Sequence, residues 1–256
     1  MNCNKIIGWV LFLITACVPA AAQDAAKVKV VLTKLSQNYD TSTNLSFAIK
    51  MSNINEPEGK KASTEVSDGY YSLKGKKAIY KIDEVEAMQN DSFFIAVDAT
   101  SRYIIVSKPK DNGSTQFFPF RQTMDSLLKL SAERYTINYS LNKLKKIGSI
   151  VFDAKDSAEM VKQFALEYDT EMGLILSLKY FYHEYKQDPE DYKEQNPRLV
   201  LHKKTMLIEF SNYSHNIIDE ALFKEARYIS FKEGTCEPAG KYEGYKLYYS
   251  PEPVSK

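Results

Sequence analysis

The chain has 256 residues, 44% of them hydrophobic and 26% charged, and its 34 basic and 33 acidic side chains leave a formal charge of +1. This near-neutral balance, with no block of like charge, excludes the electrostatic footprint of a nucleic-acid binder and a polybasic membrane patch. Only three cysteines are present, so a network of disulfides is excluded and a hydrophobic core must hold the fold together.

Residues 1–22, MNCNKIIGWVLFLITACVPAAA, combine a basic start, a short apolar stretch and a run of small side chains. The apolar part is too short for a stable transmembrane helix, and the pattern is that of a secretory signal peptide cut before Gln23. Removing it takes away Lys5, Cys3 and Cys17, which leaves a balanced charge and Cys236 as the sole thiol. Residues 23–256 are then expected to form a single exported, periplasmic domain. A second reading stays open, because Ile14-Thr15-Ala16-Cys17 resembles the bacterial lipobox. In that case Cys17 is lipidated and anchors the protein to a bacterial membrane.

From residue 24 to 39, Val28, Val31, Leu32, Leu35 and Tyr39 recur at helical spacing among polar residues, which predicts an amphipathic helix. The polar run at 40–44 ends it. Leu45, Phe47, Ile49 and Met51 then alternate with Ser46, Ala48, Lys50 and Ser52, the period of a strand with one buried face. The same alternation predicts strands around Tyr71 and Leu73, around Ala78, Tyr80 and Ile82, and through Phe93, Ile95 and Val97. A polar turn at 98–102 leads into a partner strand at 103–107, and the two read as an antiparallel pair. Residues 109–113 read as a loop and 123–130 as a short helix.

Strands resume with Phe164, Leu166 and Tyr168. The turn at 169–173 ends in Gly173, which takes the positive φ that a tight hairpin needs. Leu174, Leu176, Leu178 and Tyr180 alternate on the return strand. The charged stretch at 183–197, with two prolines and no apolar period, reads as a long exposed excursion. Segments at 199–201, 206–210, 228–231 and 245–249 add further strands. The count is nine or ten strands and two helices, mainly β with some α, and such a sheet must cover its apolar face.

This order of elements resembles the periplasmic lipoprotein carriers of the LolA and LolB family. The resemblance rests on the helix leading through a Thr/Ser-rich turn into Leu45-Ser46-Phe47, on the paired strands at 93–97 and 103–109, and on the hairpin of Val161-Lys162-Gln163-Phe164 with 174–180. The strand at 205–210, Ser211-Asn212, Asn216, Ile217, Ala221 and Phe223 complete it. It implies an unclosed antiparallel β-barrel, a curved sheet with helices against its concave face. Two features depart from it. The family's early Arg-Pro pair, which helps hold the empty cavity closed, is replaced here by Leu73-Lys74-Gly75-Lys76, and the stretches around 185–198 and Cys236 lie outside the family layout.

With that fold, the candidate ligand-binding residues are Leu45, Phe47, Ile49, Tyr71, Leu73, Tyr80, Phe93, Ile95, Leu176 and Leu178, each on the apolar face of its strand. The same alternation serves an ordinary core. The ligand implied is a lipid or an acylated lipoprotein, since burying acyl carbons from water is favourable by about 0.8 kcal/mol per CH₂. No cofactor and no metal are expected, and contact with a membrane is expected to be peripheral at most. The alternative is an envelope protein-binding module, for which the aromatic group Phe117-Phe118-Pro119-Phe120 reads as a docking knob or as a plug of the cavity mouth. Enzyme signatures are lacking: His183, His202 and His215 have no metal-binding spacing, no Gly-x-Ser-x-Gly is present, and the pairs Asp83/Glu84 and Glu190/Asp191 fall in charged segments.

Overall fold

The computed structural model describes residues 20–109, 134–187 and 199–250. The expected helix is α1 (Ala20–Thr41), which buries Val28, Leu32, Leu35 and Tyr39 along one face. Their spacing of four, three and four residues is the stripe that a 3.6-residue period places on one side. At its C-terminus Ser42 Oγ donates to the Asn38 carbonyl at 2.6 Å, which satisfies one of the acceptors a helix end leaves open.

Two antiparallel meanders follow. The first comprises β1 (Asn44–Pro57), β2 (Ser63–Lys74), β3 (Lys77–Ile82), β4 (Val85–Gln89), β5 (Phe94–Asp98) and β6 (Tyr103–Ser107). The second comprises β7 (Tyr135–Asn142), β8 (Ile147–Ala154), β9 (Val161–Asp169), β10 (Ile175–Gln187) and β11 (Leu199–Ser214). β11 pairs with β1, which joins the meanders into one sheet.

After β11 the chain passes through short 3₁₀ turns and the ribbon β12 (Ile229–Lys232) with β13 (Thr235–Pro238). It then reaches the far edge as β14 (Lys246–Tyr249). β14 runs parallel to β6, and the completed sheet has twelve strands in the order β14-β6-β5-β4-β3-β2-β1-β11-β10-β9-β8-β7. β7 and β14 stand at opposite ends, so the sheet is curved but unclosed, as expected from the sequence.

Cross-strand partners share a face, and the register therefore sorts the strands' side chains into two separate cores. On the helix-bearing face Leu45, Leu73 and Ala78 lie in line, as do Phe47, Tyr71 and Tyr80. α1 packs over these rows together with Ile150, Phe152, Phe164, Leu166 and Leu178 from the second meander. On the outer face Ile79, Met88, Ile95 and Val106 are successive partners. Residues of the C-terminal segment, among them Ile218, Phe223, Tyr228, Ile229 and Tyr242, cover them.

Several sequence expectations need correction. β4 escaped the periodicity because Glu86, Ala87, Met88 and Gln89 are all buried, so burial does not alternate along it. β7 and β8 were also not anticipated; β7 alternates, but half of it is polar and exposed. Residues 183–187, expected in an exposed excursion, continue β10 by pairing with β11 from His183↔Lys203 to Gln187↔Leu199. Ladder hydrogen bonds hold this stretch where no apolar stripe marks it. Residues 20–22 of the expected leader form the start of α1, while its residues 1–19 with Cys17, the aromatic group at 117–120, the short helix at 123–130 and Glu190/Asp191 lie outside the described residues.

Candidate functional site

Leu45, Phe47, Tyr71, Leu73 and Leu178, five of the anticipated residues, are buried together on the helix-bearing face. Phe47 is the hub of the aromatic packing. It stacks on Tyr71 at 5.1 Å, meets Phe210 edge-on at 5.6 Å and contacts Tyr213 at 5.1 Å. Ile49 and Tyr80 pack against this core and are half-buried.

Two anticipated residues lie elsewhere. Ile95 belongs to the outer-face core, and Phe93 packs against that same core and stacks on Phe231 at 5.7 Å. β5 turns its larger aliphatic side chains outward because the C-terminal segment covers them, so its apolar period marks the opposite face from that of β1. Leu176 is displaced as well. β10 is bulged between Ile175 and Ser177, which puts buried Ile175 where strict alternation predicts Leu176. Leu176 is half-buried and outside the core cluster.

The bulge is held by two tyrosines. Pairing of β10 with β11 begins at Ser177↔Glu209, so Ile175 lies beyond that ladder. Its N–H donates to Tyr39 Oη at 3.0 Å, and its carbonyl accepts from the Tyr213 hydroxyl. The two hydroxyls are 3.0 Å apart, and donation from Tyr39 to Tyr213 closes the ring of hydrogen bonds. Burial raises the pKa of both tyrosines, so they stay protonated as donors. Nearby, the Asn38 side-chain amide donates to the carbonyls of Met172 and Gly173, which ties the helix end to the β9–β10 hairpin. Gly173 has φ +65°, the positive value expected of that turn.

Away from this buried end the same rows continue. Met51 and Ile208 are partners, as are Leu178 and Ile208, and Tyr180 and Met206. Ile49, Met51, Tyr80, Tyr180, Met206 and Ile208 are half-buried, a band of apolar side chains beside the closed core. Tyr180 packs on Phe164 at 4.7 Å, and burial raises the pKa of Tyr80 and Tyr180. Met206 and Ile208 sit in a segment legible as a strand. Their place in the band depends on pairing with β1 and β10, which sequence periodicity does not contain.

One step further along, the face turns polar. Tyr182 and Lys204 are partners, and Asn55 faces Lys204 from β1. A groove of about 800 Å³ opens there, lined by Tyr182, Lys204, Glu184, His183 and the β8–β9 connection with Lys162. The three histidines do not converge. His183 lies edge-on to Phe181 at 5.2 Å, His202 Nδ1 is 2.9 Å from Asn55 Oδ1, and His215 Nδ1 is 3.0 Å from the Asn44 carbonyl. Among the described residues no group of three His, Cys, Asp or Glu side chains is placed to hold a metal ion, and no helix is long and apolar enough to cross a membrane.

No protein-family model matches the sequence, and comparison with curated proteins finds no match. Solved structures of similar fold include an uncharacterized conserved protein from Thermus thermophilus, at 6% identity over 88% of this chain and 99% of that one, with a TM-score of 0.44. A LolA superfamily protein from Nitrosomonas europaea is similar at 9% identity over 77% of this chain and 97% of that one, with a TM-score of 0.30. The MucA/MucB complex structure from Pseudomonas aeruginosa is similar at 13% identity over 77% of this chain and 60% of that one, with a TM-score of 0.33.

Proposed function

We propose that this protein is an exported, non-enzymatic binder or carrier of an apolar ligand, a lipid or the acyl chains of a lipoprotein, in the bacterial envelope. The observation that carries this reading is the band of Ile49, Met51, Tyr80, Tyr180, Met206 and Ile208, which continues the core rows as half-buried side chains. Each acyl carbon sheltered there gains about 0.8 kcal/mol over water. Tyrosines suit such a surface, because the ring packs against a chain while the hydroxyl keeps a polar partner. Nothing in the band is a nucleophile poised beside a base, and binding without chemistry is the activity its side chains support.

The test is direct. Protein isolated gently from the bacterial envelope is expected to carry lipid in native mass spectrometry, and lipid-stripped protein to take up a fluorescent fatty acid. Met206→Asp places a charge in the band and is expected to abolish uptake while the circular dichroism spectrum is retained. Wild-type protein that never takes up the probe refutes the reading and leaves the envelope protein-binding module as the alternative.

A further inference from the structure

The two ends of the sheet are unlike. β14 is four residues long and carries Lys246, a short charged edge that discourages a further strand. β7, at the other end, is eight residues long, and its sequence from Tyr135 to Asn142, YTINYSLN, holds no charge and no proline. It pairs with β8 without a register break from Tyr135↔Ala154 to Asn142↔Ile147, so no bulge turns it away from a neighbour. The devices that usually blunt an edge strand are missing from it.

The open side of β7 offers its backbone to solvent. Lys155 N–H donates to the Arg134 carbonyl at 2.9 Å, which makes Arg134 and Lys155 a hydrogen-bonded pair at the start of the β7–β8 ladder. Alternation along the strand then turns the N–H and C=O groups of Thr136, Asn138, Ser140 and Asn142 toward β8. Those of Tyr135, Ile137, Tyr139 and Leu141 point away from it, and among the described residues nothing bonds to them. The edge is also uncovered: Thr136, Asn138, Ser140 and Asn142 are exposed, as is Leu141 at 44%.

We propose that this edge joins a second copy of the chain, β7 antiparallel to β7, about a two-fold axis at Asn138. The strand's complementarity to itself argues for that partner. An axis perpendicular to the sheet keeps every side chain on its own face, and centring it on Asn138 engages all the outward backbone groups. On the inner face Tyr135 then meets Leu141 of the second copy and Ile137 meets Tyr139, aromatic against aliphatic. On the outer face Thr136 meets Ser140, and Asn138 meets its own counterpart. Such pairs stabilise adjoining strands, and no like charges are opposed. The joined sheet carries both α1 helices on one side.

Sedimentation velocity on the full chain, between micromolar and submillimolar concentrations, is expected to show monomer giving way to dimer. Leu141→Pro removes an outward N–H without touching the ladder to β8. It is expected to weaken dimerisation by about tenfold or more, the scale of the two hydrogen bonds lost across the axis, with an unchanged circular dichroism spectrum. Thr136 and Ser140 are exposed, and substitutions there leave the core intact. Thr136→Lys with Ser140→Lys opposes like charges across the axis and is expected to be monomeric at low salt, as is Thr136→Glu with Ser140→Glu. Mixing these two double variants is expected to restore a dimer, because the introduced charges of opposite sign then face each other. Wild-type protein that stays monomeric throughout, or a dimer that neither Leu141→Pro nor the lysine variant weakens, overturns the proposal. Charge variants that remain monomeric when mixed overturn the axis at Asn138.

Discussion

The hydrogen-bonded ring of Tyr39, Tyr213 and Ile175 is where the bulge in β10 should reveal its energetic cost. Tyr39→Phe keeps the ring packing of a residue only 6% exposed but removes the oxygen that accepts from Ile175 N–H, itself 1% exposed. A buried donor left unsatisfied costs about 1–3 kcal/mol, so the variant should lose about 2 kcal/mol in urea denaturation. Tyr213→Phe removes the donor to the Ile175 carbonyl and should cost a similar amount. The double variant should fall short of the sum by about 1 kcal/mol, because the bond between the two hydroxyls is lost in either single variant. Alkaline titration supplies a second arm. Both tyrosines have pKa values raised in the native state above the ordinary value of about 10. Their contribution is therefore intact below pH about 10 and is lost as pH rises further, and the wild type should lose stability more steeply there than the double variant. A Tyr39→Phe variant within 0.5 kcal/mol of wild type, or strict additivity of the two, would refute the role assigned to the ring.

Gly148 is the partner of Tyr168, and a Cβ there would fall 2.2–2.4 Å from the Tyr168 ring. Gly148→Ala should therefore cost about 1–3 kcal/mol by overpacking, and the cost should shrink in a Tyr168→Ala background when both are compared by thermal unfolding. Glu86, 6% exposed on the outer face, accepts from the Tyr228 hydroxyl and pairs with Arg227 at 3.4 Å, which ties the C-terminal segment to β4. Glu86→Ala should loosen that segment, read as faster limited proteolysis between residues 218 and 249, while fatty-acid uptake on the other face stays unchanged. Leu32→Ala in α1, at a site 1% exposed, should lose about 2–5 kcal/mol in chemical denaturation.

Much of the first meander and the helix is legible in local periodicity. The stripe of Val28, Leu32, Leu35 and Tyr39, and the alternation of Leu45, Phe47 and Ile49, each state a buried face within a few residues. The candidate site was only partly legible, for two reasons. An apolar period says that one side of a strand is covered but not which side of the sheet that is, and here both sides are covered. Ile95 and Leu45 carry the same signal and point to opposite cores. A period is also blind to a one-residue slip, so the bulge that exchanges Ile175 for Leu176 left no trace in the sequence pattern, although the Tyr39 and Tyr213 hydroxyls that hold it lie far away along the chain.

The amino-acid sequence by itself determined the near-neutral charge, the dependence on a hydrophobic core, the leading amphipathic helix and a strand-rich body with a hairpin turning at Gly173. Those properties follow from composition and from contacts a few residues apart. Only the tertiary structure decided that β11 joins β1 to unite the two meanders, and that the C-terminal segment crosses the outer face to reach β6. It also decided that Met206 and Ile208 extend the apolar rows while Tyr182 and Lys204 form their polar end. Those outcomes depend on register between strands distant in sequence, and the free energy that selects them exists only once both partners are in place.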